Sequence, residues 1–186
     1  MKTKLFIPVA TIVLGLFMIS CSSMPGKKVK EPFSGSKYQT NNKYFRAKGI
    51  GESKSQQVSK NKAMTQAKSN LAGSVKSNMK RVADAYIAET TLEDKSEVME
   101  KFQSLSREVV SQEIADIRTI GEETYINEET YKTNVALEIK KKSMYKVMKK
   151  LAKLEEKKYD AKTVQEYQKM LDKEIERLEA LEADED

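Results

Sequence analysis

The chain has 186 residues, with 34 Lys and Arg, 28 Asp and Glu, a formal net charge of +6, one cysteine and no histidine. The missing histidine excludes the commonest general base and the commonest metal ligand of proteins. The single cysteine excludes an internal disulfide.

The first twenty residues are typical of an export signal. Lys2 and Lys4 precede the uncharged run 5–19, LFIPVATIVLGLFMI. A transmembrane helix needs about 20 apolar residues, so this run fits a cleavable signal better than a membrane span. It ends in Met18-Ile19-Ser20-Cys21, which resembles a lipobox, the motif in which the cysteine becomes an acylated N-terminus.

Acylation of Cys21, with palmitate or a similar chain, would account for an odd cysteine in an exported protein. Several acyl chains together hold a protein stably on a membrane. Ser22 follows the cysteine, where an Asp would resemble an inner-membrane retention signal. No acidic run follows Ser23, whereas the surface-export signals of some lipoprotein groups are acidic. We therefore predict a lipid-anchored outer-membrane protein that faces the periplasm and has no nucleic-acid partner.

Residues 22–43 follow the cysteine, and their Pro and Gly content predicts a flexible spacer. A flexible chain of this length spans roughly 25 Å on average. The folded part is expected to begin at Tyr44, in a strand in which Phe45 and Ala47 alternate with charged residues. Gly49 and Gly51 are expected to turn the chain from this strand into a helix.

A long helix is predicted over residues 55–88, with a capping box formed by Ser53 and Gln56. Apolar residues recur at helical spacing along one face. They are Met64, Ala67, Leu71, Val75, Met79, Val82 and Tyr86. Gly73 interrupts this helix, and we expect it to mark a close contact with the sheet.

The remaining pattern predicts a helix over 96–113, a strand over 114–126 bent near Gly121, a strand over 130–140 and a helix from Ser143. In the second strand Tyr131, Thr133, Val135, Leu137 and Ile139 face one way, and Lys132, Asn134, Glu138 and Lys140 face the other. The short turn between the two strands predicts an antiparallel hairpin. The expected fold is therefore α+β, β-α-α-β-β-α, with a small, mostly antiparallel sheet, helices on one face and a long C-terminal helix.

Four regions follow from this pattern: a signal (1–20), a lipidated N-terminus and spacer (21–43), an α+β domain (44–155) and an acidic C-terminal helix (156–186). Val164, Leu171 and Leu178 lie seven residues apart in the last region, but Glu174 interrupts a second seam. The C-terminal helix is therefore expected to fold back on the domain, and self-association through it is the alternative.

Charge is unevenly distributed, because residues 27–86 contain 14 basic residues but only three acidic ones. Lys48, Lys54, Lys60 and Lys62 form a candidate patch for a polyanion, with an ordinary solvated face as the alternative. Gly49 and Gly51 lack the third glycine of a dinucleotide-binding loop. Glu122-Glu123 and Glu128-Glu129 lack the pattern of a cation site. No cofactor, metal or catalytic residue is predicted.

The segment from Ala47 to Gly51, the helix residues Ala63, Ala67, Leu71 and Ala72, and the strand Tyr131–Ile139 occur in an order that resembles the LPP-twenty-type lipoprotein family. The resemblance covers roughly residues 44–154 and does not include the acidic C-terminal helix. It implies an α+β envelope domain without known catalytic residues. Some members are outer-membrane antigens and others assist flagellar assembly or motility, but no residue here speaks for motility.

These observations predict a non-enzymatic, membrane-anchored envelope lipoprotein that acts as a structural or assembly component through contacts with an envelope protein partner. The alternative is a periplasmic binding module for a wall polymer or a small ligand. An enzyme would need convergent polar side chains in a pocket, and the sequence offers no such set.

Overall fold

The computed structural model describes residues 30–91, 94–111 and 116–183. In chain order the elements are a 3-10 turn (Ser36–Tyr38), β1 (Tyr44–Ser53), α1 (Gln56–Glu89), α2 (Lys95–Ser111), β2 (Arg118–Asn127), β3 (Thr130–Lys140), α3 (Lys141–Leu154) and α4 (Ala161–Ala183). The predicted α+β class and β-α-α-β-β-α order are confirmed. These elements belong to one compact unit, Glu31–Asp186.

The three strands form an antiparallel sheet in the order β1-β3-β2, so that β3 is central. A two-residue turn joins β2 to β3, and its first residue, Glu128, has a left-handed φ of 53°. The predicted bend near Gly121 is present as a break in register between Thr119 and Gly121. Such a bulge bends a strand and increases its twist.

The predicted solvent face of β3 is partly wrong, because Asn134 and Glu138 are buried. Because β3 has a strand on each side, residues on both of its faces lie beside side chains of β1 and β2. Glu138 accepts a hydrogen bond from Arg46 of β1 at 3.0 Å and one from Arg118 of β2 at 2.8 Å. A buried carboxylate is tolerated when it is paired in this way.

The prediction that Gly49 and Gly51 turn the chain is wrong, because both lie inside β1. They instead allow α1 to approach the strand. A Cβ added at Gly49 would lie 2.2 Å from the Ala63 carbonyl oxygen, and one added at Gly51 would lie 2.1 Å from the Ser59 carbonyl oxygen. Glycine is the residue that permits so close an approach of two backbones.

The predicted helix over 55–88 corresponds to α1, but its buried face is rotated towards smaller residues. Ala63 and Ala83 are buried, whereas Met64 and Val82 are only half-buried. At Ala63 the closeness of β1 leaves room for alanine but not for a longer side chain. Leu71, Val75, Met79 and Tyr86 are buried as predicted.

Two local predictions for α1 are wrong. The predicted capping box places the N-cap at Ser53, but Ser53 is still part of β1 and the N-cap residue is Ser55. The side chain of Ser55 makes no capping hydrogen bond. Gly73 marks no close contact, since it is exposed and no atom lies within 4 Å of an added Cβ.

The helix predicted from Ser143 is two helices that form an antiparallel hairpin, with α3 ending at Leu154 and α4 starting at Ala161. Val164, Tyr167, Leu171 and Leu178 of α4 are buried. The C-terminal helix therefore folds back on the domain, as the first of the two alternatives expected. It belongs to the same compact unit as the strands.

Lysines at the start of α3 and along it face acidic residues of α4. Lys140 lies 3.1 Å from Glu182, Lys142 lies 2.6 Å from Glu179, and Lys149 lies 2.6 Å from Asp172. The basic and acidic stretches of the sequence thus meet in the folded chain. Each such exposed pair contributes about 0–1 kcal/mol, so these contacts set the orientation of the hairpin more than its stability.

The folded unit begins earlier than the predicted boundary at Tyr44. Phe33 is buried and its ring packs over Gly121, with Tyr38 against it at a centroid distance of 4.9 Å. Thr40 uses its hydroxyl to bond both the backbone N–H and the carbonyl of Arg46. Two aromatic residues and this edge contact tie down residues 31–43, which composition alone assigned to the spacer.

Asp160 caps the N-terminus of α4. Its carboxylate accepts hydrogen bonds from the backbone N–H and the hydroxyl of Thr163, both at 2.8 Å, and these bonds lower the pKa of Asp160 from 3.8 to about 2. We expect Asp160→Ala to lower the free energy of unfolding by about 1 kcal/mol at neutral pH.

The pH dependence follows from the sign of this shift. Because the folded pKa is depressed, the stabilisation is complete above about pH 4 and is lost as the pH falls towards 2. The difference between the wild type and Asp160→Ala in urea unfolding should shrink over this range. Asp160→Asn, whose amide also caps, should show no such dependence; a constant difference for Asp160→Ala would contradict the assignment.

Candidate functional site

Cys21, the predicted lipidation residue, lies outside the described residues, as does the predicted signal over residues 1–20. Among the described helices, none combines the length and the apolar character needed to cross a bilayer.

The four lysines of the predicted polyanion patch do not form one continuous surface. Lys60 and Lys62 both belong to α1. Lys60 lies 2.8 Å from Glu122 of β2, whereas Lys62 donates to the Glu52 carbonyl of β1 at the opposite edge of the sheet. Lys48 lies 3.9 Å from Glu31 and Lys54 lies 3.6 Å from Glu129. Because three of the four face a carboxylate, the local positive field is weaker than the sequence suggests.

A groove runs between the edge strand β1 and helix α1, with a volume of about 690 Å³. Its apolar part is formed by Ile50 and Val58, whose exposed fractions are 53% and 43%. The rest of the lining is polar and consists of Glu52, Asn61, Lys62, Thr65, Gln66 and Ser69 with the backbone at Gly51. Large apolar side chains that stay exposed in a concave surface are typical of a protein-docking site.

Side chains of α1 occupy the outer edge of β1. Asn70 donates to the Lys48 carbonyl at 2.8 Å, and Lys62 donates to the Glu52 carbonyl at 3.1 Å. Ile50 lies between these two positions. Since these carbonyls are taken, a partner would bind this groove through its side chains and not by adding a strand to β1.

A second depression, of about 260 Å³, lies between α1 and α2. Its floor contains Met79, Ala83 and Phe102, and its rim contains Lys76, Lys80 and Arg107. None of these three cations is paired with a carboxylate among the described residues. An apolar floor with a cationic rim is suited to an amphipathic anion.

Polar groups buried between the helices are satisfied by one another. Tyr145 donates to Asn78 at 2.5 Å, and Tyr167 and Ser106 share a hydrogen bond at 2.9 Å. Burial raises the pKa of both tyrosines, so they stay neutral and act as packing and hydrogen-bonding groups. These contacts order the core, and Ser106 also lines the depression between α1 and α2.

The acidic residues near the hairpin turn are engaged separately. Glu122 faces Lys60, Glu129 faces Lys54, and Glu123 accepts a hydrogen bond from the Tyr125 hydroxyl, which raises the pKa of Tyr125. Within residues 30–91, 94–111 and 116–183, no group of three metal-ligating side chains converges.

Sequence reasoning missed the groove, although one signal was present. Phe45 and Ala47 face the helices, so the alternation of a strand places Ile50 on the other face. A single exposed apolar residue is common on protein surfaces, so this position indicates a docking site only together with the groove that it lines. Val58 gave no comparable signal, because its exposure depends on how α1 is rotated over the sheet.

No protein-family model, curated protein or solved structure matches the chain.

Proposed function

We propose that this protein is a non-enzymatic envelope lipoprotein, anchored to the outer membrane through acylated Cys21 and facing the periplasm. The signal over residues 1–20 and the lipobox Met18–Cys21 support the anchor, and Ser22 supports the outer membrane. Several acyl chains provide stable attachment. The resemblance to LPP-twenty-type lipoproteins points to the same compartment.

Within the envelope, we propose that the protein acts as a structural or assembly component by binding another envelope protein in the β1–α1 groove. The observation that carries this proposal is that Ile50 and Val58 are both exposed and line the same groove, whose other lining residues are polar. A few apolar anchors surrounded by polar groups commonly supply most of the binding energy of an interface.

Crosslinking in intact cells, followed by identification of the partner, tests this function. We expect Ile50→Asp and Val58→Asp each to reduce the yield of the partner adduct by about tenfold or more, since loss of an interface anchor costs more than 1 kcal/mol. Leu154→Asp is the matched control: Leu154 is also a highly exposed apolar residue but lies at the end of α3.

Adducts that persist unchanged in both groove variants would contradict this role for the groove. Equal loss in Leu154→Asp would indicate a general effect of added charge. Because both groove side chains are largely exposed, neither variant is expected to change the thermal unfolding midpoint, which should be measured alongside.

A second candidate function is a binding module for a wall polymer or a small anionic ligand, and the depression between α1 and α2 favours it. The free cations Lys76, Lys80 and Arg107 surround its apolar floor. In a pulldown from solubilised envelopes, retention of peptidoglycan or of a small anion, without a protein partner, would support this candidate. Lys80→Gln and Arg107→Gln should then weaken retention, as should added salt.

A further inference from the structure

We propose that two copies of this protein join through the free edge of β2, so that their sheets form one six-stranded antiparallel sheet. This inference goes beyond the proposed function and does not depend on the β1–α1 groove. The copies would be related by a two-fold axis that passes close to Thr124.

The outer edge of β2 has no strand neighbour within the described residues, because β3 lies on its other side. Residues 122–127 are exposed, and the exposed fraction of Ile126 is 61%. Thr40, Asn70 and Lys62 cover the edge of β1, whereas the described side chains form no comparable bonds to the backbone of β2. An exposed, unprotected edge strand is a template for pairing with another chain.

The hairpin defines which backbone groups of β2 point outward. The two-residue turn makes Asn127 and Thr130 a hydrogen-bonded pair, and bonding to β3 then recurs at every second residue. The N–H and C=O groups of Glu122, Thr124 and Ile126 therefore face away from β3. A second strand can bond to β2 only by pairing its own outward residues with these three.

Charge selects one register for self-pairing. With the axis at Thr124, Glu122 lies opposite Ile126 of the second copy, and Glu123 lies opposite Tyr125 of the second copy. Tyr125 donates its hydroxyl to Glu123 of its own strand, so the cross-strand pair would join the same hydrogen-bond donor and acceptor. A two-fold axis requires such self-complementarity of a single surface.

Neighbouring registers bring carboxylates together. An axis one residue towards the N-terminus opposes the two copies of Glu123, and an axis two residues away opposes the two copies of Glu122. Moving the axis towards the turn places Glu122 opposite Glu128, or Glu123 opposite Glu129. Like charges directly opposite each other destabilise a strand pair. The penalty is largest for Glu123, because Lys60 and Lys54 partly neutralise Glu122 and Glu129.

The helical layer leaves room for this arrangement. Helix α1 packs over β1 and β3, and Lys60 of α1 forms an ion pair with Glu122 of β2. A two-fold axis perpendicular to the sheet places both helical layers on the same side. The two uncovered β2 strands would then lie between the helices of the two copies.

Disulfide trapping of the full chain in cell envelopes tests the proposal. Thr124→Cys places two cysteines in a hydrogen-bonded pair, where the Cα atoms are about 5.5 Å apart and within reach of a disulfide. We expect mild oxidation to give a dimer that disappears on reduction. The parent chain, whose single cysteine is Cys21, sets the background. Leu154→Cys, exposed at the end of α3 and outside the proposed groove, is the matched control and should stay monomeric.

Charge at position 126 tests the register in the Thr124→Cys background. Ile126→Glu places a carboxylate opposite Glu122 of the second copy and should reduce the crosslinking rate about tenfold, equivalent to about 1.4 kcal/mol. Ile126→Lys should crosslink at least as well as the parent variant.

Three outcomes would overturn the proposal: monomer from Thr124→Cys, efficient crosslinking of Leu154→Cys, or equal behaviour of Ile126→Glu and Ile126→Lys. An adduct with a different protein at position 124 would also overturn it. Ile126 is largely exposed, so the two charge variants should share one thermal unfolding midpoint, which keeps a folding defect distinguishable from lost pairing.

Discussion

Replacing Gly49 by alanine is expected to destabilise the protein by about 3 kcal/mol or more, because the new methyl group would collide with backbone atoms of α1. Its Cβ would lie 2.2 Å from the Ala63 carbonyl oxygen and 2.3 Å from the Ala67 nitrogen. Backbone atoms in a helix cannot move aside as a side-chain tip can. The measurement is the midpoint and slope of denaturant unfolding.

Gly73→Ala is the matched control for this prediction. Gly73 lies within α1, is exposed and has no atom within 4 Å of an added Cβ. Alanine is the better helix former by about 1 kcal/mol, so this variant should be as stable as the wild type or more so. If Gly49→Ala proved as stable as Gly73→Ala, β1 and α1 could not be in backbone contact.

Replacing Cys21 by serine is expected to release the protein from the membrane fraction. Without the thiol no acyl chain can be attached, and each buried CH₂ of such a chain contributes about 0.8 kcal/mol to membrane binding. The compact unit starts at Glu31, so the change should leave the fold intact. Fractionation of envelopes, with labelling by a fatty-acid analogue, measures both effects.

Ser23→Ala is a suitable control, since it lies beyond the lipobox and should retain acylation. Cys21→Ser protein that remains in the membrane after an alkaline wash would indicate that residues 5–19 anchor the chain. Protease treatment of intact cells tests the orientation of the anchored protein. Cleavage within residues 22–30 without damage to the outer membrane would place the domain outside and contradict the periplasmic orientation.

Much of the fold could be predicted because its signals are local. The alternation of Tyr131, Val135 and Ile139 identified β3, and the two-residue turn identified the hairpin. The helical repeat of Leu71 and Val75 identified α1. Such periodicities state which face of an element is apolar, and they need no knowledge of what covers that face.

The candidate sites were less predictable, because they depend on the distances between elements. Lys60 and Lys62 are two residues apart, yet they reach opposite edges of the sheet. Ile50 and Val58 line one groove because α1 packs along β1, and the rotation of α1 decides that Val58 stays exposed. Neither the placement of the two lysines nor the exposure of Val58 can be predicted from the order of residues in the chain.

The amino-acid sequence by itself determined the α+β class, the order of the strands and helices and the lipobox-like motif at Cys21, since each depends on neighbouring residues. Tertiary structure alone decided that Gly49 and Gly51 admit α1, that Phe33 covers Gly121, and that basic α3 meets acidic α4. These contacts join residues far apart in the chain. Their formation depends on the closest approach that backbones and side chains allow once all the elements pack together.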